Sequence, residues 1–343
     1  MRKIEDRKRD HIDICLTRPV SMRRRNGFED YDLMAQALPE LNLTEISLAT
    51  RFLGRDLAAP VMIAAMTGGS KQAREINRHL AEAAQELGLA MGVGSQRIMF
   101  EDSSARSSFT VVREVAPHIL LFGNLGAVQL NYGFTKDMVR NAVDIIEGDG
   151  IFLHLNSLQE AIQPEGNTNF RGLLARIGEV AMQLSFPVMV KEVGSGIHPE
   201  LATELAAHHV AAIDVGGAGG TSWAAIEAFR ATSPISKDLG KVFGNWGIPT
   251  AQSLRLCHER LPDYPLIATG GIRDGLTIAK ALVLGASLVG IAKPLLEPAT
   301  QSTAAVIATL EKLLAELRVA MFLVGASDIR TLKSMRIFKK GQL

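Results

Sequence analysis

The sequence predicts a (β/α)8 TIM barrel with an N-terminal extension, and three observations predict it. Eight short runs rich in Val, Ile and Leu recur along 343 residues, helical patterns separate them, and polar side chains collect at one end of the runs. The runs are PVMIAAMT (60–67), LAMGVGSQ (89–96), ILLFGNLG (119–126), GIFLHLN (150–156), PVMVKEV (187–193), AAIDVGGAG (211–219), PLIATGG (265–271) and ASLVGIAKP (286–294). They are apolar without strict alternation, as strands buried on both faces are. Eight strand–helix units over roughly 240 residues match such a barrel in count and length. A doubly wound open sheet is the alternative, but it usually has fewer strands and carries GxGxxG after the first one; here the first strand ends in AMTGGS.

The clearest helix is SKQAREINRHLAEAAQELG. Ser70 can cap its start, Ile76, Leu80, Ala83 and Leu87 recur at helical spacing, and Gly88 can end it. The barrel's last helix is expected over 300–324, with Val306, Leu310, Leu313 and Leu317 on one face. Residues 1–58 precede the barrel, and ISLATRFLG (46–54) reads as a strand or hairpin that can close its bottom. The expected organisation is an extension (1–58), a barrel (59–325) and a C-terminal tail (326–343).

Composition removes several function classes. The 37 basic and 36 acidic residues leave a formal charge of +1, so no global field argues for nucleic acid or a membrane. Basic residues do crowd the start, from Arg2 to Arg25. A solvated tail is the reading composition favours for that segment; the functional alternative is a lid whose Arg7, Lys8 and His11 close over an anionic ligand. Cys15 and Cys257 lie far apart, without metal-ligand spacing, which fits a reducing cytoplasm. No apolar run is long enough to span a bilayer, and the N-terminus lacks a secretory signal pattern, so a soluble cytoplasmic protein is expected.

Barrel active sites lie at the C-terminal ends of the strands. Those ends carry Ala65, Met66 and Thr67; Ser95, Gln96 and Arg97; Asn124; His154, Asn156, Gln159 and Glu160; Lys191; Gly216 to Thr221; Gly270 and Gly271; and Ala292 with Lys293. Two glycine-rich stretches, GGAGGTSW (216–223) and TGGIRDG (269–275), follow strands six and seven. Glycines in such places make tight turns or let backbone N–H groups approach a phosphate, and the pair together favours a phosphorylated ligand. Lys191 stands where a flavin N1/C2-carbonyl locus or a substrate anion would sit. Arg97 suits bidentate phosphate binding or a structural salt bridge. Glu160, among His154, Asn156 and Gln159, is the metal candidate, since Mg2+ takes one or two carboxylates together with substrate oxygens; alone it would read as a helix-start glutamate.

The strings PVMIAAMTGGS, GSQR, GNLGAVQL, HLNSLQEAIQPEG, VKEVGSGI, GGAGGTSW, NWGIPTAQSL and TGGIRDG, with RKRDHI at 7–12, closely resemble type 2 isopentenyl diphosphate isomerase, the FMN-dependent form. HLNxxQExxQPEG is specific to that family, whereas GGIRDG is shared widely among FMN barrels. The resemblance implies FMN held by Ala65, Met66, Thr67, Ser95, Asn124, Lys191, Thr221, Gly271, Ile272, Arg273, Ala292 and Lys293. It implies a substrate diphosphate held by Arg7, Lys8, Ser95, Gln96, Arg97 and His154, with Asn156 and Gln159 near the reacting carbons and Glu160 on Mg2+. It further implies NADPH as the reductant of the flavin and a homo-oligomer, tetramer or octamer. Ser157 and Asn167 stand where proline and aspartate are common in the family, and neither coincides with a residue given a role. The rival is an FMN-dependent oxidoreductase of the hydroxy-acid oxidase or dihydroorotate dehydrogenase kind. It would need a histidine base beside an arginine, and strands six and seven exit into loops without histidine; His198 lies too far along its loop. A flavin-binding scaffold is a third reading, which the polar mouth disfavours.

Overall fold

The computed structural model describes residues 4–341, so Arg2 and Lys3 of the basic run and the last two residues of the C-terminal tail lie outside the described residues. Every apolar run contains a strand: β1 (Val61–Ile63), β2 (Ala90–Gly92), β3 (Leu121–Gly126), β4 (Gly150–Leu155), β5 (Val188–Glu192), β6 (Ile213–Asp214), β7 (Leu266–Ala268) and β8 (Leu288–Ile291). Each pairs in parallel with the next, and β8 returns to β1, where Val289 stands beside Val61, so the sheet closes as a barrel. Helices α1 (Ile4–Thr17), α3 (Ser157–Ile162) and α4 (Trp223–Arg230) bear on the site, and α2 (Lys71–Leu87) and α5 (Thr303–Val324) pack around the barrel. Among the described residues no helix is long and apolar enough to cross a membrane.

Helix α2 begins and ends where its sequence dictates. The Ser70 hydroxyl accepts the Ala73 N–H at 3.1 Å, satisfying one of the donors every helix start leaves free. Gly88 closes the other end at φ 62°, a left-handed conformation that costs glycine little. Ile76, Leu80 and Ala83 of this helix, and Val306, Leu310, Leu313 and Leu317 of α5, are buried in the layer between strands and helices. That layer is the larger core.

A second, smaller core fills the lower barrel interior. Strands Thr50–Phe52 and Arg55–Leu57 form an antiparallel hairpin whose Phe52 and Leu57 pack with Met62, Ala90, Phe122, Phe152, Met189 and Ile267. Phe52 meets Phe122 edge-on at 6.5 Å, and Phe122 meets Phe152 at 5.4 Å. Segment 46–54 therefore supplies the first strand of a hairpin under the barrel, and the second strand runs beyond it to Leu57. The C-terminal segment is tied in as well: strand Ile337–Lys339 pairs antiparallel with Tyr31–Leu33 of the extension, following a short helix at Ile329–Lys333.

Phe52→Ala removes the largest hairpin side chain from this closed interior and is expected to cost about 3–5 kcal/mol, the range for a buried Phe→Ala change. Urea unfolding measures it; a loss below about 1 kcal/mol would show that the hairpin does not seal the barrel.

Candidate active site

Strand pleating decides which polar groups face the barrel axis. Side chains on a strand repeat every second residue, so a residue two places beyond an inward apolar one also points inward. Phe122 leads in this way to Asn124, Phe152 to His154 and Met189 to Lys191. His154 pairs in register with Lys191, and Lys191 with Asp214. An aromatic and aliphatic floor thus carries a polar layer above it, and this layer opens into a cavity of about 260 Å3 at the C-terminal ends of the strands.

Every residue assigned a role from the sequence lines that cavity except Gln96. Its expected diphosphate contact is corrected by the structure. The Gln96 side chain is fully buried; its amide donates to the Ala142 carbonyl at 2.6 Å, and its oxygen accepts the Asn124 N–H at 2.9 Å. Ser95 and Arg97 line the cavity while the intervening residue turns away to stitch β3 to its neighbours.

The N-terminal segment is also not the solvated tail that composition favours. Helix α1 lies over the mouth, with Arg7, Lys8, His11 and Ile12 in the cavity wall. The His11 Nε2 lies 3.0 Å from Glu227 Oε1, its ring meets Trp223 edge-on at 5.2 Å, and Ile12 is buried. Lys8 Nζ reaches the Ser95 carbonyl at 3.5 Å. Glu227 is the hub of this attachment: Oε1 also accepts Gln159 Nε2 at 3.1 Å, and Oε2 binds Arg230. Burial pushes its carboxyl upward most strongly, but His11, Arg230 and Gln159 together outweigh that and hold it below the usual range. Burial lowers His11 despite its bond to Glu227, so a neutral ring donates from Nε2 to an ionised carboxylate.

Nearer the floor, His154 is pushed down to about 3 by burial and by the charges of Lys191 and Lys8. The Asn124 amide nitrogen donates to the Val93 carbonyl at 3.1 Å, which turns Asn124 Oδ1 toward His154 Nδ1 at 2.8 Å. The neutral imidazole therefore carries its proton on Nδ1 and has a bare Nε2. Lys191 is lowered by burial, opposed by the charges of Asp214 and Glu192. Glu192 accepts the N–H groups of Val193 and Gly194, both at 2.6 Å, and of Ser195, yet burial raises it to about 7.

The glycine stretches form one surface. A β-carbon on Gly271, at φ 73°, would lie 2.3 Å from the Gly219 carbonyl oxygen, and one on Gly219, at φ 119°, would lie 2.3 Å from the Asn26 nitrogen. Only side-chain-free backbone permits this approach. Arg273 and Lys293 both reach the Ser21 hydroxyl at 3.4 Å, and among the described residues neither meets a carboxylate. Exposed peptide groups beside two unneutralised cations suit the phosphate of FMN. A cation site is defined differently. Asn156 donates to Gln159 Oε1 at 3.2 Å and to Glu160 Oε1 at 2.9 Å, leaving its own buried Oδ1 without a partner. An orphaned oxygen beside a carboxylate suits a divalent ion completed by ligand oxygens; among the described residues no group of three His, Cys, Asp or Glu forms a protein-only cage.

Fold and site together define a flavin-class barrel enzyme. The FMN-dependent dehydrogenase family matches residues 1–113 and 168–339, more than half of the chain. The chain is 48% identical over 342 residues to the isopentenyl-diphosphate delta-isomerase of Cronobacter sakazakii, covering 99% of this chain and 98% of that one. It is 50% identical to the enzyme of the same name from a Synechococcus species, with 96% and 95% covered, and 49% identical to that of Deinococcus radiodurans, with 97% of each covered. The chain belongs to the isopentenyl-diphosphate delta-isomerase family, in its FMN-dependent type. Solved structures with the same fold include a lactate oxidase of Pediococcus acidilactici (TM-score 0.71, 18% identity, 98% of this chain and 93% of that one) and a mandelate oxidase (TM-score 0.65, 19% identity, 92% and 90%).

Glu227, Glu192, Asp214 and Gln129 were not among the residues read from the sequence as candidates. Glu227 sits within a helix 216 positions from His11, so no local pattern links them. Glu192 and Asp214 did leave a signal, a carboxylate inside an otherwise apolar strand run.

Lys8, lowered to about 7 by burial and by Arg7 and Arg97, generates a pH prediction. Its folded value lies below its ordinary one, so the lysine is mostly neutral at pH 8 and an arriving anion returns its proton. Titration calorimetry at pH 8 with an alkyl diphosphate, in two buffers of different ionisation heat, is expected to show net proton uptake that Lys8→Met abolishes. Affinity should fall as pH rises from 7 to 9. Absence of uptake in the native protein would contradict the placement of Lys8.

Proposed function

We propose that the protein interconverts isopentenyl diphosphate and dimethylallyl diphosphate at this cavity. The observation that carries the proposal is the position of the polar wall. His154, Asn156, Gln159 and Glu160 all lie within 114–167, the stretch that the FMN-dependent dehydrogenase family leaves unmatched, while both glycine loops lie in the matched part. The chain thus keeps a flavin-phosphate end in common with the dehydrogenases and carries its own chemistry on β4 and α3.

The interconversion adds a proton at one end of an allylic unit and removes one at the other, with no net oxidation. Arg7 is lowered by burial and by the charges of Arg97 and Arg230, and Lys8 by burial and by Arg7 and Arg97; a diphosphate among them relieves that crowding of positive charge. Glu160 with Asn156 Oδ1 would hold Mg2+ on the diphosphate. Ala65 to Thr67, Ser95, Asn124, Lys191, Thr221, Gly271 to Arg273, Ala292 and Lys293 would hold FMN. Reduced FMN, when bound there, would supply the proton donor and acceptor and a negative charge able to stabilise positive charge developing on the allylic unit. NADPH or NADH would then be required in catalytic amounts only.

The chain's residues do the rest by orientation. Gln159 has its oxygen fixed by Asn156 and one amide proton fixed by Glu227, so its remaining N–H has a defined direction. We assign Gln159 the orientation and relay of protons at the reacting carbons. His154, neutral with a bare Nε2, accepts a hydrogen bond from a protonated ligand group or becomes a cation beside the diphosphate. Docking of α1 excludes water from that developing charge.

The dehydrogenase-like alternative is poorly served by these histidines: His198 is exposed and caps a helix by accepting the Leu201 N–H at 3.3 Å, His11 Nε2 is turned to Glu227, and His154, held down to about 3, is a weak base.

The test is conversion of isopentenyl diphosphate by FMN-loaded protein with dithionite or NADPH and Mg2+, followed by product analysis and NADPH absorbance. Turnover should greatly exceed NADPH consumed, and chelation of Mg2+ should abolish it. Matched loss of NADPH and substrate would instead establish an oxidoreductase. Gln159→Ala is expected to lower kcat by about 100-fold, the lower range for losing a positioned proton-transfer group; unchanged kcat would remove Gln159 from the mechanism.

A further inference from the structure

The loop after α3 carries a residue that neither the sequence motif nor the proposed roles account for. Asn167 lies between the two charged groups on which ligand binding depends. Its Oδ1 accepts from Arg97 Nη1 at 3.1 Å and from Gln129 Nε2 at 3.1 Å, while its backbone N–H donates to Glu160 Oε2 at 2.6 Å. Gln163 Nε2 donates to the same carboxylate oxygen at 2.6 Å. One residue therefore ties the guanidinium to the carboxylate.

The geometry of Arg97 shows what this accomplishes. Its Nε is held by Glu101 at 2.9 Å and its Nη1 by Asn167, so two sides of the planar fork are fixed on a residue that lines the cavity. A guanidinium released on one side would rotate about its long stem and lose the alignment that a bidentate phosphate contact requires. Gln129, itself buried, locks Asn167 from the opposite side. Asn167 is neutral, so it positions Arg97 without adding a second negative charge to the Glu101 pair. An aspartate here would keep both acceptor contacts and add a negative charge near Glu160.

We propose that Asn167 is a positioning residue that couples the anion-binding Arg97 to the metal-binding Glu160, making diphosphate and Mg2+ binding interdependent. The proposal deepens the functional reading above and rests on it. Sequence comparison of roles alone would pass over it, because Asn167 does not line the cavity.

Oxidised FMN-loaded protein binds without turnover on this reading, so binding can be measured directly by calorimetry with isopentenyl diphosphate, at a series of Mg2+ concentrations. Asn167→Ala is expected to weaken binding in saturating Mg2+ by about tenfold and to raise the Mg2+ concentration for half-effect, with FMN affinity and melting temperature unchanged. Asn167→Asp is expected to stay within about threefold of the native protein in Mg2+ and to need no more Mg2+, but to bind more weakly without the metal. Asn167→Ala within twofold of native, or Asn167→Asp as weak as the alanine variant, overturns the inference. If Asn167→Ala loses FMN or melts early, Asn167→Asp decides by the same limits. A native protein that binds no isopentenyl diphosphate sinks the functional reading itself, and the inference with it; native binding with an indifferent Asn167→Ala sinks the inference alone.

Discussion

The two-residue repeat of a β-strand, imposed on a closed parallel barrel, is the constraint on which the rest depends. Once Phe122, Phe152 and Met189 fill the lower interior, Asn124, His154 and Lys191 must occupy the layer above, because no other inward positions remain on those strands before they end. The hairpin matters for the same reason. Phe52 and Leu57 complete the floor from below, so the interior is dry up to the level of the polar groups. The large downward shift of His154 follows from burial there and from the charges of Lys191 and Lys8, and the lowering of Lys191 from burial against the opposing charges of Asp214 and Glu192.

The second consequence is a charge imbalance by region. Lys8 and Arg7 on α1 come together with Arg97 at one side of the mouth, and Arg273 with Lys293 at another. Carboxylates are present, but they are committed: Glu227 to His11, Gln159 and Arg230, and Glu192 to three backbone N–H groups. Glu101 pairs with Arg97, and Glu165 and Glu227 act on Arg7 from a distance, but among the described residues no carboxylate pairs with Arg273 or Lys293, so positive charge is left at two separate places where anionic groups can be accommodated. A chain with a net charge of +1 reaches that result through placement alone.

The barrel was legible because it rests on local properties. All eight apolar runs contain strands, α2 starts at Ser70 and stops at Gly88, and the buried face of α5 follows from its spacing. What failed was whatever depends on turn geometry or distance. Gln96 stands between two cavity residues in the turn after β2, and only the local backbone of that turn sends it outward to the Ala142 carbonyl. The docking of α1 was legible only as the lid alternative and through the family resemblance, because its anchors, Trp223 and Glu227, lie far along the chain, and composition alone sees only a run of arginines and lysines. The pairing of Ile337–Lys339 with Tyr31–Leu33 joins the two ends of the described chain and has no local signature. Asn167 is a third kind of case. Its sequence neighbours marked it as a departure from a motif, while its importance comes from three hydrogen bonds to residues up to 70 positions away.

These distances also explain how one barrel scaffold serves different chemistry. The phosphate loops are built from backbone, and backbone contacts survive sequence change provided the glycines remain; Gly219 and Gly271 approach neighbours so closely that no side chain could replace them. The reacting wall is built from side chains on β4 and α3, held by one another and by Glu227, and it can be exchanged without disturbing the loops. The N-terminal segment then meets both parts: α1 carries Lys8 toward Ser95 and His11 toward Glu227, and Ser21 just beyond it meets Arg273 and Lys293. Attachment of α1 depends on Glu227 remaining ionised, and Glu227 remains ionised because His11, Arg230 and Gln159 outweigh its burial. The lid, the reacting wall and the anion-binding cations are therefore parts of one electrostatic balance.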